Sequence, residues 1–267
     1  MSDSSNRRQR AAAARDAANA GEKRRERTVR IVGAVTVLVI VAAIIGLAVY
    51  AKQSSSSTAS GTLVTADPDP SAPSPKGVLA GTDEHAYGVP YGSAPATAPI
   101  LAIWEDFQCP ACGKVEAANG DGIAKLAEDG KVRLIWRPTT FLDDNLKNDA
   151  SLRAVAAWGC AIDAGKVREY HDVIYKNQPT KEGEGYTRDQ LIAFAGDAGI
   201  SGDAQKAFEQ CVDDGTYLRW AANSTKIFFD DKLPGTPYGT LNGTEVAIDV
   251  LADPAKLEAA VAGAPKS

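Results

Sequence analysis

The chain has 267 residues, 44% of them hydrophobic, with four cysteines and a formal charge of −5, which is enough apolar material for one or two cored domains. Residues 1–30 carry nine Lys/Arg against four Asp/Glu, a local +5 that leaves −10 on the rest of the chain. An acidic body lacks the basic face that nucleic-acid binding needs, and four cysteines are too few for a miniprotein built on disulfides.

Residues 1–30 are rich in Ala and Arg without a sustained apolar face, and are expected to form a disordered tail. Residues 31–51 follow without a single charge, and as a helix they would be about 30 Å long, the thickness of the hydrocarbon core. Arg24, Arg25, Arg27 and Arg30 crowd the N-terminal end of this run, whereas only Lys52 follows it. The positive-inside preference then keeps 1–30 in the cytoplasm and sends everything after Lys52 outside. The run is too long for the apolar region of a cleaved signal peptide, and Val49-Tyr50-Ala51 is a poor cleavage site, so an uncleaved single-pass anchor is expected. Residues 52–78, rich in Ser, Thr, Pro and Gly, read as a flexible linker. The folded part is expected at 79–267, in an extracytoplasmic compartment where disulfides persist.

Ile100-Leu101-Ala102-Ile103-Trp104 is a short apolar run, predicted to be a buried strand. A helix should start at Pro110, where a missing N–H costs nothing, and run to about Leu126, with a break conceivable at Gly120-Asp121-Gly122. Val132 to Arg137 is a second strand, giving a strand-helix-strand unit of the parallel kind. Helical periodicity dominates from about 146 to 230, with helices expected near 151–164, 169–175, 188–198, 203–212 and 216–229. Pro237 to Leu241 and Thr244 to Ile248 read as strands joined by Asn242-Gly243, the favoured two-residue hairpin turn. Asp253-Pro254 then caps a terminal helix over 255–262.

The chemistry concentrates in Glu105-Asp106-Phe107-Gln108-Cys109-Pro110-Ala111-Cys112. Two thiols three positions apart, at the start of a helix, can close into a disulfide and open again. The same spacing serves zinc, but one such pair with two scattered cysteines, and Pro110 between the first two, suits redox exchange better. At a helix N-terminus Cys109 faces free N–H groups and the positive end of the helix dipole, which favour its thiolate. Cys112, one turn in, should be less exposed and act as the resolving thiol. Cys160 and Cys211 both fall in the helical block and are expected to form a structural disulfide. Two free thiols or a second redox pair are the alternatives. His171, in a helical context, is read as a packing or surface histidine in preference to a base near the active pair.

The order of elements, the Cys-Pro-Ala-Cys stretch after an apolar strand, Gly235-Thr236-Pro237 before a strand and hairpin, and the 128 positions from Cys109 to Pro237 together resemble the DsbA-like thiol-disulfide oxidoreductases over about 79–267. That resemblance implies an α/β, thioredoxin-like fold with an inserted helical subdomain at about 146–230. It implies that Cys109 and Cys112 are catalytic, that Pro110-Ala111 tunes their potential, that Pro237 is a cis-proline facing them, and that Thr236 contacts the sulfurs. Pro110-Ala111 lacks the histidine of the most oxidising members, so a moderately oxidising pair is expected. No cofactor is implied. The implied partners are exported, unfolded polypeptides with free thiols and a quinone-linked membrane protein of the DsbB or vitamin K epoxide reductase-like type, with the chain itself a monomer. A disulfide isomerase or reductase of the cell envelope, and a non-catalytic binding or chaperone module, are the competing readings. In one respect the chain departs from the family. The buried acid held six positions before the first active cysteine is replaced by Ile103. Glu105 and Asp106, nearby and read as lying in different strand phases, are either helpers of proton transfer to Cys112 or strand-end acids facing water.

Overall fold

The computed structural model describes residues 63–265. The tail at 1–30, the membrane helix expected at 31–51 and the first part of the expected linker lie outside the described residues. Among the described residues no helix is long and apolar enough to cross a membrane.

In chain order these residues form β1 (Val89–Tyr91), β2 (Ile100–Glu105), α1 (Pro110–Glu128), β3 (Arg133–Pro138), α2 (Phe141–Leu146), α3 (Ala150–Asp163) and α4 (Val167–Lys176). There follow α5 (Arg188–Asp197), α6 (Asp203–Asp213), α7 (Leu218–Asp230), β4 (Tyr238–Leu241), β5 (Thr244–Val246), α8 (Ile248–Leu251) and α9 (Pro254–Gly263). The five strands make one sheet in the order β1-β3-β2-β4-β5, in which β2 and β3 are parallel and the other pairings antiparallel. A parallel pair requires a crossover, and α1 supplies it. Asn242 and Gly243 both take positive φ at the β4–β5 turn (48° and 77°), as that hairpin requires.

Side chains alternate across a strand, so β2 serves two layers. Trp104 meets Phe228 of α7 with ring centroids 5.4 Å apart, and the Arg137 guanidinium lies 4.0 Å above the Trp104 ring. Ile103 and Glu105 share the opposite face with Trp136, whose ring lies against His171 of α4.

The inserted helices α2 to α7 occupy 141–230, between β3 and β4. Their centre is α3. The sequence predicts one apolar face there, with Leu152, Val155, Ala156 and Cys160, but α3 is buried almost all round because α2, α4, α5, α6 and α7 all pack on it. Cys160 of α3 is bonded to Cys211 of α6, 51 positions on. In the chain-entropy account, closing such a loop stabilises the fold by about 4 kcal/mol.

Several elements differ from the sequence reading. β1 contains Pro90, which marks it as an edge strand, and an edge is its place in the sheet. α1 runs unbroken through Gly120-Asp121-Gly122. Asn119 in this stretch is buried, and its amide donates to the Leu251 carbonyl at 2.7 Å, so tertiary packing overrides the local helix weakness. The returning strand stops at Val246, and Ile248 instead opens the single turn α8, which carries Leu251 fully into the core. Residues 63–78, read as linker, are tied to the domain where they are described. The Val64 amide donates to Asp149 at 2.8 Å, that of Asp69 to Asn223 at 2.7 Å and that of Lys76 to Asp163 at 2.9 Å. Asn223 donates back to the Asp69 carbonyl and Arg219 pairs with the Asp69 carboxylate. This segment is a strap along α3 and α7, and composition alone could not separate it from a free spacer.

Candidate active site

The apolar run of β2 ends in a short loop, and Cys109 stands at the N-cap of α1 with extended backbone (φ −72°, ψ 117°) and Pro110 in the first helical position. Cys109 and Cys112 are both free thiols. Cys109 keeps 6% of its surface exposed, whereas Cys112, one turn in, has none. The Cys109 thiol donates to the Thr236 carbonyl at 3.3 Å, and the Thr236–Pro237 peptide bond is cis. The sequence-predicted pair and its proline loop therefore meet in space. Pro110 is exposed and Ala111 half-buried at the rim.

The two thiols are driven apart in acidity. A hydrogen bond from the Cys112 thiol, then bonds from Thr236 and from the backbone N–H groups of Cys112 and Ala111, bring Cys109 down to about 6 against the cost of burial. The free N–H groups are those that any helix presents at its first turn. Burial pushes Cys112 well above the ordinary thiol range, and the neighbouring Cys109 and Glu105 push it further. Cys109 is then the thiolate at neutral pH, and Cys112 keeps its proton.

Glu105 and Asp106 do not face water. They are 5% and 0% exposed. Glu105 is two residues beyond Ile103 and so lies on the same face of the strand, a periodicity legible in the sequence. Its Oε2 lies 2.9 Å from Nε2 of His171, itself 1% exposed. The donor atoms of Glu105, Glu116 and His171 all lie within 4.8 Å of one another. Oε1 of Glu105 and Oε1 of Glu116 have no partner among the protein atoms. Burial, reinforced by the charge of Glu105, pushes the Glu116 carboxyl well above its usual range. His171 is raised to about 10. Burial opposes its charge, but hydrogen bonds to Asp172 and Glu105 and the nearby carboxylates outweigh it. His171 is thus a packing histidine, as expected, set among the rings of Phe107, Trp136, Trp158 and Tyr175, and it also pairs with Glu105. No local motif announced that pairing, because its partners come from β2 and α1.

Asp106 has a separate role. Its carboxylate accepts from the Ser151 hydroxyl at 2.5 Å, the Gln108 amide at 2.8 Å and the Leu142 amide at 3.1 Å, which pins the loop before Cys109 to α2 and α3. Cys160 and Cys211 lie away from the dithiol as a bonded pair in the insertion, which leaves no four-thiol metal site.

The family model described as thioredoxin matches residues 85–261. No curated protein matches the chain. Among solved structures, the MdbA protein of Actinomyces oris, a thiol-disulfide oxidoreductase, superposes with a TM-score of 0.60 at 25% identity, covering 71% of this chain and 92% of its own. The reduced disulfide bond oxidoreductase DsbG of Mycobacterium tuberculosis gives 0.52 at 25% identity, covering 66% and 93%. BdbD of Bacillus subtilis gives 0.56 over 76% and 97%, and at 16% identity that likeness concerns the fold alone.

Proposed function

The chain belongs to the thioredoxin family and is a thiol-disulfide oxidoreductase of the DsbA-like kind, and from that premise we propose that it introduces disulfides into exported proteins from an extracytoplasmic, membrane-anchored position. The observation that carries the direction is the split between the two thiols. A nucleophile held near 6 makes the reduced form stable and its disulfide a good oxidant. The location rests on the uncharged run at 31–51 behind a cluster of arginines.

In the oxidised protein, a substrate thiolate attacks Sγ of Cys109 and breaks the Cys109–Cys112 bond. The leaving Cys112 sulfur takes up one proton, because burial disfavours its anion. A second substrate thiolate attacks the substrate sulfur of the mixed disulfide. The substrate departs with a disulfide and Cys109 departs as a thiolate, so two electrons have passed to the dithiol. A quinone-linked membrane oxidoreductase of the DsbB or vitamin K epoxide reductase-like type would take them off again. The test is the rate at which the oxidised protein forms disulfides in a reduced, unfolded test protein. Oxidation much faster than with glutathione disulfide alone is expected. A potential more negative than about −270 mV, where reductants of this fold lie, would overturn the oxidase direction in favour of a reductase.

Reoxidation must remove the Cys112 proton, and the Glu105–Glu116–His171 cluster is the acceptor that Ile103 fails to provide. Glu105→Gln should slow closure of the Cys109–Cys112 disulfide by about a hundredfold near pH 7, the usual scale of general-base loss. The deficit should shrink as pH rises and hydroxide takes over. A closure rate unchanged across that range would remove Glu105 from the mechanism.

A further inference from the structure

The loop that carries Cys109 is held from the inserted helices as well as from its own strand and helix. Gln178 follows the end of α4. Its Nε2 donates to two carbonyls, those of Phe107 and Cys109, each at 2.9 Å. The Phe107 carbonyl also accepts from the Tyr186 hydroxyl at 2.9 Å, and the Asp106 carbonyl from the Tyr175 hydroxyl at 3.4 Å. The Cys109 carbonyl already accepts the amide of Gly113 at 3.1 Å, as the first turn of α1 requires. Gln178 therefore adds a second donor to that carbonyl and bridges it to the residue two before. Gly113 makes room for this. A Cβ built there would lie 2.2 Å from Gln178 Oε1, so any larger residue displaces the amide. Gln178 is half-buried and belongs to no motif.

We propose that Gln178 is a positioning residue through which the inserted helices set the reactivity of Cys109. It clamps the Phe107 and Cys109 carbonyls so that the sulfur faces the N–H groups of α1 and the Thr236 loop. The physical basis is twofold. The two accepted bonds draw partial negative charge off the carbonyls that bracket the nucleophile, and the clamp fixes the loop in the one arrangement where the donors to the sulfur converge. This rests on the proposed function, because it names what adjusts the same thiolate.

The test is a titration of Cys109 in the reduced full-length protein, followed by thiolate absorbance near 240 nm, across a graded series. Gln178→Leu removes the donor and should cost about three- to tenfold in the thiolate equilibrium, the worth of one or two hydrogen bonds. Gln178→Glu offers only acceptors when ionised and should cost more. Gln178→Lys keeps a donor and adds a positive charge, and should leave the equilibrium unchanged or favour the thiolate. Gly113→Ala leaves Gln178 in the sequence but pushes its amide aside, and should reproduce the Gln178→Leu loss while the helix itself gains propensity. The equilibrium with glutathione should move in the same order, about 30 mV per tenfold. Equal shifts in all four variants, or none, with wild-type Cys109 titrating near 6, would overturn the role of Gln178 alone. A wild-type Cys109 titrating near the ordinary thiol value would overturn the proposed function and this inference with it.

Discussion

Cys109→Ser should abolish catalysed disulfide formation, a loss of about a thousandfold or more, to the level of the uncatalysed exchange. The serine hydroxyl fits the N-cap of α1 as well as the thiol does, so the fold should persist, and circular dichroism will check this. Cys112→Ser should behave differently. It keeps the Cys109 nucleophile but cannot close the internal disulfide. Cys109 then attacks substrate disulfides and stays attached, so covalent adducts accumulate on non-reducing gels and disappear with dithiothreitol. The asymmetry follows from geometry, since Cys109 retains some exposure and Cys112 has none. Equal loss in both variants without adducts would contradict the assignment of nucleophile and resolving thiol. Equal disulfide formation by wild type and Cys109→Ser would refute the enzymatic role of this dithiol, and the same uncatalysed rate in both would leave a binding or chaperone module with bystander cysteines.

The second large effect is thermodynamic. Cys109 is lowered from 9.0 to about 6 by folding. A group whose folded value is depressed contributes stability that is present in full above its unfolded value and is lost as pH falls through its folded value. For the reduced protein the window is therefore pH 6 to 9, with stability rising across it. In the oxidised protein Cys109 does not titrate, so this contribution is missing. The difference in unfolding free energy, reduced minus oxidised, should grow by about 2–4 kcal/mol between pH 6 and 9, allowing for the partial exposure of the site. Denaturant unfolding of both forms, with the Cys160–Cys211 bond verified intact by mass, measures it. Groups outside the dithiol, such as Asp106, raised to about 7 by burial, are common to both forms and cancel. Cys112, raised well above the ordinary range, also titrates only in the reduced form, and it trims the gain only as pH nears the unfolded thiol value. A gap that stays flat with pH would mean that the thiolate is not stabilised by the fold, and the oxidase direction would lose its main physical support.

The parts of the site that were legible in the sequence are those written in contiguous residues. The strand at 100–105, Pro110 at the helix start, the helical block and the Asn242-Gly243 hairpin each carry a local signal. The resemblance supplied Thr236-Pro237. The remainder depends on residues far apart in the chain. His171 gains meaning only when Glu105 and Glu116 meet it across three elements, and Gln178 only when the α4 terminus reaches the loop around Cys109. Asp106 illustrates why composition misleads. An acid at a strand end is normally solvated, and here three donors from α2, α3 and its own loop replace the water. Glu105 was within reach of sequence reasoning, since the two-residue period that buries Ile103 also buries it. The strap at 63–78 was not, because its Ser, Thr and Pro content is that of a spacer and its bonds are made largely by backbone amides.

On the proposed oxidase reading, the Cys160–Cys211 bond makes this protein a client of its own trade. A newly made chain arrives with four thiols, and α3 and α6 are joined only after an outside oxidant has closed one particular pair. The helices so joined are packed together with α4, beyond whose end Gln178 reaches the loop around Cys109, so competence is expected to depend on that earlier oxidation. On that same oxidase reading, a finished copy is an oxidant of the required kind. Maturation can therefore be inherited from older molecules to younger ones, and a population started from fully reduced chains alone should show a lag that a trace of mature enzyme abolishes.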